Sequence, residues 1–206
     1  MNKITSHAIA FFSLLFISTL LEVNAQGKWD KSIHENMVSI LQKHRELASI
    51  PNVSSNREDM FKNIDWVTEE FQHLDFEVTQ LETSTLPVLL IEKQVNKKFK
   101  TVLFYMHLDG QDVDPNNWNQ PNPFIPVLKE KDAEGNWKII DWNNIEGAIN
   151  PEWRVFGRAV ADDKAPIIMM MYAMQLLKDS NTKPNVNIKI ILDLQEESSC
   201  RFFRNT

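Results

Sequence analysis

The sequence predicts a layered α/β domain with a largely buried central sheet. Helical periodicity runs to about residue 74, short apolar runs typical of strands follow between residues 76 and 106, and a further helix and strand occupy residues 163 to 194. The 206 residues are enough for one domain, and the apolar share of 43% is that of a protein with a buried core. Helices and strands in this order favour layers packed around a sheet.

Three helices are predicted. Apolar residues recur at helical spacing between Trp29 and Leu47, and "SIPNVSSN" ends that stretch with Pro51 and turn-forming residues. Steps of four and three mark the second helix, at Met60, Ile64, Val67, Phe71 and Leu74. The third lies in "DDKAPIIMMMYAMQLLKD", where acidic residues and Pro166 stand at the start. His34, His44 and His73 lie in or near the first two helices, which favours solvated or structural roles for them.

Four strands are predicted from "FEVTQL", "PVLLIEK", "TVLFYM" and "VNIKIILDL". The charged turn at Asn96–Lys100 separates the second run from the third, so we expect these two to form a hairpin. Residues 111–156 are irregular, with a second hairpin around "DAEGNW". Long irregular segments inside a domain are often functional.

The charge balance and the N-terminus narrow the classes of function. A formal net charge of −6 offers neither a basic face for nucleic acid nor a polybasic membrane patch. Residues 1–25 combine Lys3, the apolar "AIAFFSLLFISTLL" and "VNA", which predicts a cleaved signal peptide and a secreted or periplasmic protein. The alternative is a membrane anchor, but this apolar run is short for the roughly 30 Å of a bilayer core.

Cysteine usage points to a core or a metal as the source of stability. Cys200 is the only cysteine, so no intramolecular disulfide can form. An exported domain without disulfides depends on its hydrophobic core or on a bound metal.

Three polar clusters adjoin apolar elements. His107 and Asp109 follow "TVLFYM", Asp162 and Asp163 precede the third helix, and Glu196 and Glu197 follow "VNIKIILDL". Each has a simpler explanation: a strand end, a helix cap and a solvated turn. Together they favour a metal site, because functional groups collect beyond the carboxyl ends of strands, and imidazole and carboxylate are good zinc ligands.

The order and the amino-acid sequences of these clusters resemble the motifs of a known family. "YMHLDGQDVDPNNW", "VFGRAVADDKAP" and "ILDLQEES" are similar to the motifs of the di-zinc exopeptidases and deacylases, which include carnosinases, the pseudomonad glutamate carboxypeptidase, aminoacylases and succinyl-diaminopimelate desuccinylase. The resemblance runs from about residue 34 to about residue 199. It implies part of a zinc-exopeptidase-type three-layer α/β/α catalytic domain with a mixed central sheet.

The resemblance also implies roles for five residues. His107 matches the histidine ligand of one zinc, and Glu197 matches the carboxylate ligand of the other. Asp162 matches the aspartate that bridges both ions, Asp109 the carboxylate that orients the histidine, and Glu196 the general base. The family often has a cis peptide bond after the bridging aspartate, so we predict one between Asp162 and Asp163. Two zinc ions are the expected cofactor, and cobalt or manganese would suit the same ligands.

The sequence departs from the family pattern in three places. Ala159 and Ala165 replace two glycines, which matters only where the backbone needs a positive φ. The family continues well beyond the two glutamates, through a further acidic ligand, a lid or dimerisation domain and a late histidine, whereas this chain ends at "SCRFFRNT". We therefore expect residues 26–206 to be the N-terminal part of a truncated catalytic domain, without the lid domain that a homodimer would need.

Three hypotheses about function follow. The first is hydrolysis of small peptides by an exopeptidase or dipeptidase, with metal-activated water and a glutamate base. The second keeps the site but takes N-acyl amino acids, because both substrates place the same amide over the metals. The third is an inactive truncated remnant or a metal-free binding module. A related aminopeptidase with a different lid is disfavoured by "GRAVADDK".

Overall fold

The computed structural model describes Gly27 and residues 29–198. The expected signal peptide and the whole "SCRFFRNT" stretch, which includes Cys200, lie outside these residues. The chain divides into two compact units, Met1–Ser39 and Ile40–Thr206. In the first unit the described residues are helical, and the side chain of Asn36 donates to the carbonyl of Ser32 at 2.8 Å.

Among the described residues of the second unit, three helical segments correspond to the three predicted helices. They are α1 (residues 40–49), α2 (Arg57–His73) and α3 (Lys164–Asp179). Helix α2 begins at the N-cap residue Asn56, whose side chain accepts the backbone N–H of Asp59 and so satisfies one free donor of the first turn. Its predicted apolar face is buried, at Met60, Ile64, Val67 and Phe71. Among the described residues, no helix is long and apolar enough to cross a membrane.

Among the described residues, seven strands form two sheets. In chain order they are β1 (Glu77–Leu81), β2 (Val88–Lys93), β3 (Thr101–His107), β4 (Val127–Lys131), β5 (Trp137–Ile140), β6 (Arg154–Phe156) and β7 (Asn187–Asp193). The larger sheet has the order β1-β2-β7-β3. Strands β1, β2 and β7 are antiparallel neighbours, while β3 runs parallel to β7. The sheet is therefore mixed, which confirms the expected α/β fold.

The expected hairpin between "PVLLIEK" and "TVLFYM" is wrong. Strand β7 lies between β2 and β3, although it comes some 80 residues later in the chain. The reason is burial: five of the seven residues of β7 are buried, and Ile188, Ile190 and Leu192 give it a fully apolar side towards the core, which suits a central strand. Asn187 at its start holds the 94–100 connection, because its side chain accepts from the backbone of Val95 and Asn96 and donates to the carbonyls of Asn96 and Phe99.

The helices bury one face of the larger sheet. The core residues of β2, β3 and β7 all lie on that face, and they form one cluster with Leu47 and with apolar residues of α2 and α3; from the strands these are Leu89, Ile91, Met106, Ile188, Ile190 and Leu192. On the other face of β3, Leu103 and Tyr105 are 59% and 54% exposed. The packed face carries the hydrophobic stabilisation of this unit.

The smaller sheet has the order β5-β4-β6, with both pairs antiparallel. Strands β4 and β5 form the predicted hairpin around "DAEGNW". Asp132 closes its turn, because its carboxylate accepts the backbone N–H groups of Glu134 and Asn136. Two short 3₁₀ helices, Pro115–Asn117 and Trp142–Glu146, flank this sheet.

Candidate metal centre

The parallel pairing of β3 and β7 brings two polar clusters to one edge of the larger sheet. His107, the last residue of β3, is paired with Asp193, the last residue of β7. The backbone N–H of Leu108 then donates to the carbonyl of Asp193 at 2.7 Å. The segments that follow both strands therefore begin side by side, as expected for polar groups beyond the carboxyl ends of parallel strands.

His107 is buried, and both of its ring nitrogens are engaged. Nε2 lies 2.8 Å from Oδ1 of Asp162. Nδ1 lies 3.1 Å from the backbone carbonyl of Asp109 and 3.5 Å from Oδ1 of the same residue. Asp109 and then Asp162 raise the pKa of His107 to about 10, against the opposing effect of burial. The imidazole thus lies between the carboxylates of Asp109 and Asp162.

Asp109 also reaches the second cluster. It is fully buried, and its two carboxylate oxygens accept the backbone N–H groups of Glu196 and Glu197, each at 3.1 Å. One carboxylate thus contacts the histidine and holds the turn that carries both glutamates. The resemblance implied only the first of these roles.

Three side chains come close enough to share a metal ion. One ligand atom each of His107, Glu196 and Glu197 lies within 4.8 Å of the others. The side chain of Glu197 also accepts a hydrogen bond from Gln111 at 2.8 Å. Glu196 is exposed and Glu197 half-buried, so ions and water can reach both carboxylates. The structure therefore unites His107, Asp109, Glu196 and Glu197.

The third cluster joins through the start of α3. Asp162 reaches His107, and the peptide bond between Asp162 and Asp163 is cis, which confirms that prediction. Asp163 occupies the N-cap position of α3 without a side-chain capping bond. Its Oδ2 instead accepts the backbone N–H of His107 at 3.1 Å. Burial raises the pKa of Asp163 above its usual range. Neither aspartate side chain caps the helix.

Lys164 anchors this segment and was not identified from the sequence. It is fully buried, and its ammonium group donates to the carbonyls of Leu47 and Ile50 at 2.8 and 2.6 Å. Burial lowers its pKa to about 7. Lys164 therefore ties the start of α3, and with it Asp162, to the end of α1. A lysine inside an apolar helical run was the available signal.

Asn52 is a second residue that sequence reasoning missed. It is fully buried, its side chain donates to the carbonyl of Leu108 at 2.8 Å, and its backbone carbonyl accepts the N–H of Gly110 at 2.9 Å. It therefore supports "HLDG" from the α1–α2 connection. In sequence it looks like an ordinary turn residue beside Pro51.

The two alanines that replace family glycines behave differently. Ala159 has a φ of 57°, in the left-handed region that favours glycine. Ala165 lies inside α3, where alanine is the most favourable residue. Only the first replacement places a side chain where the backbone prefers none.

The donor set fits a divalent metal ion. It consists of the imidazole of His107 and the carboxylates of Glu196 and Glu197, with the carboxylate of Asp162 beside the imidazole, and zinc accepts groups of these kinds. The side chain of Asp162 is 79% exposed, so its carboxylate is available to an ion. The contact of His107 with Asp109 matches the outer-sphere partner that metal-bound histidines usually have.

Comparison with known proteins agrees with this geometry. Residues 103–204 match the family described as peptidase family M20/M25/M40. Over 51 residues the chain is 41% identical to a Beta-Ala-Xaa dipeptidase of Lactobacillus delbrueckii subsp. lactis, an alignment that covers 25% of this chain and 11% of that protein.

Solved structures share the fold. Human carnosine dipeptidase 1 superposes with a TM-score of 0.65 at 22% identity, over 83% of this chain and 35% of that one. The dipeptidase Dug1p of Saccharomyces cerevisiae gives a TM-score of 0.63 at 23% identity, over 82% and 34%. The chain thus spans about a third of the length of these solved relatives.

Proposed function

We propose that the chain is part of a metal-dependent hydrolase that cleaves the peptide or amide bond of small peptides, in the manner of an exopeptidase or dipeptidase, because residues 103–204 match peptidase family M20/M25/M40. The observation that carries the proposal is the convergence of His107, Glu196 and Glu197 within 4.8 Å. The dipeptidase similarity of part of the chain supports it.

In this proposal His107 and Glu197 would each be a ligand of one zinc ion, and Asp162 would be a ligand of both. Zinc bound there would polarise the scissile carbonyl and make a water molecule more acidic. Cobalt or manganese would suit the same ligands. To serve as a ligand, the ring nitrogen of His107 that faces Asp162 would have to be unprotonated.

Glu196 is the proposed general base. Its carboxylate is exposed, and its backbone is held by Asp109, so it can face a water molecule without being a required ligand. It takes a proton from that water and passes it to the leaving amine. Asp109 fixes the position of the imidazole relative to the turn that carries Glu196 and Glu197. It touches no reacting atom in this scheme.

A pair of glutamine variants tests these roles. Glu196→Gln is expected to retain bound zinc while hydrolysis of a dipeptide falls by about a hundredfold or more, as for loss of a general base. Glu197→Gln is expected to lose bound zinc as well. Glu69→Gln, an exposed change on α2, is the matched control. Near-normal turnover by the Glu196→Gln variant would contradict the assignment of Glu196 as the general base.

The measurement uses the full 206-residue chain, assayed for bound metal and for turnover separately. Dipeptides and N-acyl amino acids are offered in parallel, because faster cleavage of the acyl compounds would replace the peptidase proposal with a deacylase. Zinc binding without turnover of either class would identify the metal centre but reject activity of this chain alone.

We also propose that the protein is exported, on the basis of the apolar stretch in residues 1–25. Mass spectrometry of the protein recovered from its native cell would show a new N-terminus close to residue 26. An intact Met1 on the exported or cell-retained protein would contradict cleavage.

A further inference from the structure

A groove lies on the smaller sheet, apart from the residues of the metal centre. Trp118, Lys129, Trp137 and Phe156 define it, and it encloses a volume of about 520 Å³. We call it the aromatic groove. Its size is within the range of small-molecule sites.

The sheet register places the floor side chains together. Lys129 pairs with Ile139 and Lys131 pairs with Trp137 across β4 and β5, while Val127 pairs with Phe156 across β4 and β6. Because alternate residues of a strand share a face, Lys129, Trp137 and Phe156 lie on the same side of the sheet. The rings of Trp137 and Phe156 meet edge to face, with centroids 5.1 Å apart.

The segment that carries Trp118 forms the opposite wall. Gln120 holds this segment to the sheet, because its side-chain amide donates to the carbonyl of Phe156 on β6 at 3.5 Å as well as to the loop carbonyls of Asn122 and Ile125. The guanidinium of Arg158 lies 5.4 Å from the ring of Trp118. Asn117 and Asn136 add amide groups to the lining. The wall is thus aromatic, with polar groups around it.

Lys129 supplies a buried positive charge. Only 6% of the residue is exposed, and its ammonium lies 4.5 Å from the centroid of Phe156 and 3.3 Å from the carbonyl of Asn119. Within residues 29–198, no carboxylate forms an ion pair with Lys129 or Arg158. The Nε atom of Arg158 is buried without a hydrogen-bond partner.

We infer that the aromatic groove binds a small carboxylate that carries an aromatic ring. A buried cation without a counter-charge is costly, and a ligand carboxylate against Lys129 would offset that cost. The ring of the ligand would pack against Trp118 and Trp137, where aromatic surfaces attract one another beyond simple burial. This inference is independent of the hydrolase proposal, because it uses none of its residues.

The test is calorimetric titration of the full chain with phenylacetate, compared with neutral phenylacetamide. We expect saturable binding of phenylacetate that is at least about tenfold tighter than that of the amide, as for a charge-assisted hydrogen bond. The titration is repeated with and without zinc. Binding that requires zinc would place the ligand at the metal centre and overturn the inference.

Two variants and a control locate the site. Lys129→Met keeps the length of the apolar stem and is expected to weaken phenylacetate binding by roughly tenfold to a hundredfold. Trp137→Leu tests the ring contact with Lys129 intact, and should weaken phenylacetate and phenylacetamide to a similar degree. Lys138→Met alters an exposed lysine of β5 on the other face of the sheet and should change nothing.

Circular dichroism checks that each variant is folded. If Lys129→Met does not fold, the Trp137→Leu variant decides between the outcomes. Absence of saturable binding by the wild-type chain, or equal binding by wild type and the folded variants, would overturn the inference.

Discussion

The carboxylate of Asp109 accepts the backbone N–H of Glu197 at 3.1 Å, and its other oxygen accepts that of Glu196 at the same distance. The same buried side chain lies 3.5 Å from the ring of His107. One carboxylate therefore connects the end of β3 to the turn after β7. Whatever the two glutamates bind, their placement relative to the imidazole depends on Asp109.

The first prediction concerns this connection. Asp109→Asn keeps the size of the side chain but leaves one acceptor oxygen for two N–H groups. We expect zinc affinity to fall by about tenfold to a hundredfold, the usual effect of altering an outer-sphere partner. Competition with a chromophoric chelator measures the affinity. Asp112→Asn, an exposed change nearby, is the control. An unchanged affinity in the Asp109 variant would contradict the connecting role.

The second prediction concerns the close approach of Gly110 to Asn52. A Cβ atom on Gly110 would lie 3.0 Å from Oδ1 of Asn52, whose amide is already committed to the carbonyl of Leu108. Gly110→Ala should therefore lower the free energy of unfolding by about 1–3 kcal/mol, as overpacking does.

Coupling between the two positions can be measured in a double-mutant cycle. In an Asn52→Ala background, Gly110→Ala should cost at least about 0.5 kcal/mol less than in the wild type, because the crowding atom is gone. Urea denaturation of the four proteins gives the values. Strict additivity would show that the crowding is relieved in some other way.

The third prediction concerns pH. Burial lowers the pKa of Lys164 in the folded chain to about 7, below its ordinary value of 10.5. Between these values the unfolded chain binds a proton that the folded chain does not, so this lysine makes stability rise with pH and fall as pH drops towards 7. Relative to Lys164→Met, the wild type should gain stability from about pH 7 upwards.

Denaturation of both proteins between pH 7 and pH 9 measures that difference. Comparison with the methionine variant cancels the contributions of the other titrating groups, His107 included. Lys183→Met, an exposed change, should keep the slope of the wild type. Parallel curves for the wild type and Lys164→Met would show that the buried amine keeps its proton throughout this range.

The fourth prediction concerns metal removal. Zinc at a hundred times its dissociation constant should stabilise the folded chain by about 2.7 kcal/mol, and a chelator should reverse the effect. His107→Ala should remove most of this response, whereas His73→Ala, at an exposed helix end, should keep it. Thermal melts with and without zinc provide the measurement. An equal response of the His107 variant would mean that zinc binds elsewhere.

Local patterns predicted most of the elements. The apolar spacing of Met60, Ile64, Val67 and Phe71 identified the buried face of α2, because a helix that packs on one side must repeat its apolar residues with the helical period. The β4–β5 hairpin was equally local. The predicted β2–β3 hairpin was wrong, because β7 lies between these two strands. The position of β7 depends on its burial in the folded unit and not on the residues adjacent to β2 and β3 in the chain.

The amino-acid order supplies the chemical groups of the site: one histidine after an apolar strand, two acids before a helix and two after another strand. Which of these groups meet depends on how the strands pair and the helices pack. The parallel pairing of β3 with β7 sets His107 beside the turn of Glu196 and Glu197, and the buried groups of Asn52, Asp109 and Lys164 hold the arrangement. Such contacts join residues up to 117 positions apart, so they follow from the packing of the whole unit and leave no local pattern in the chain.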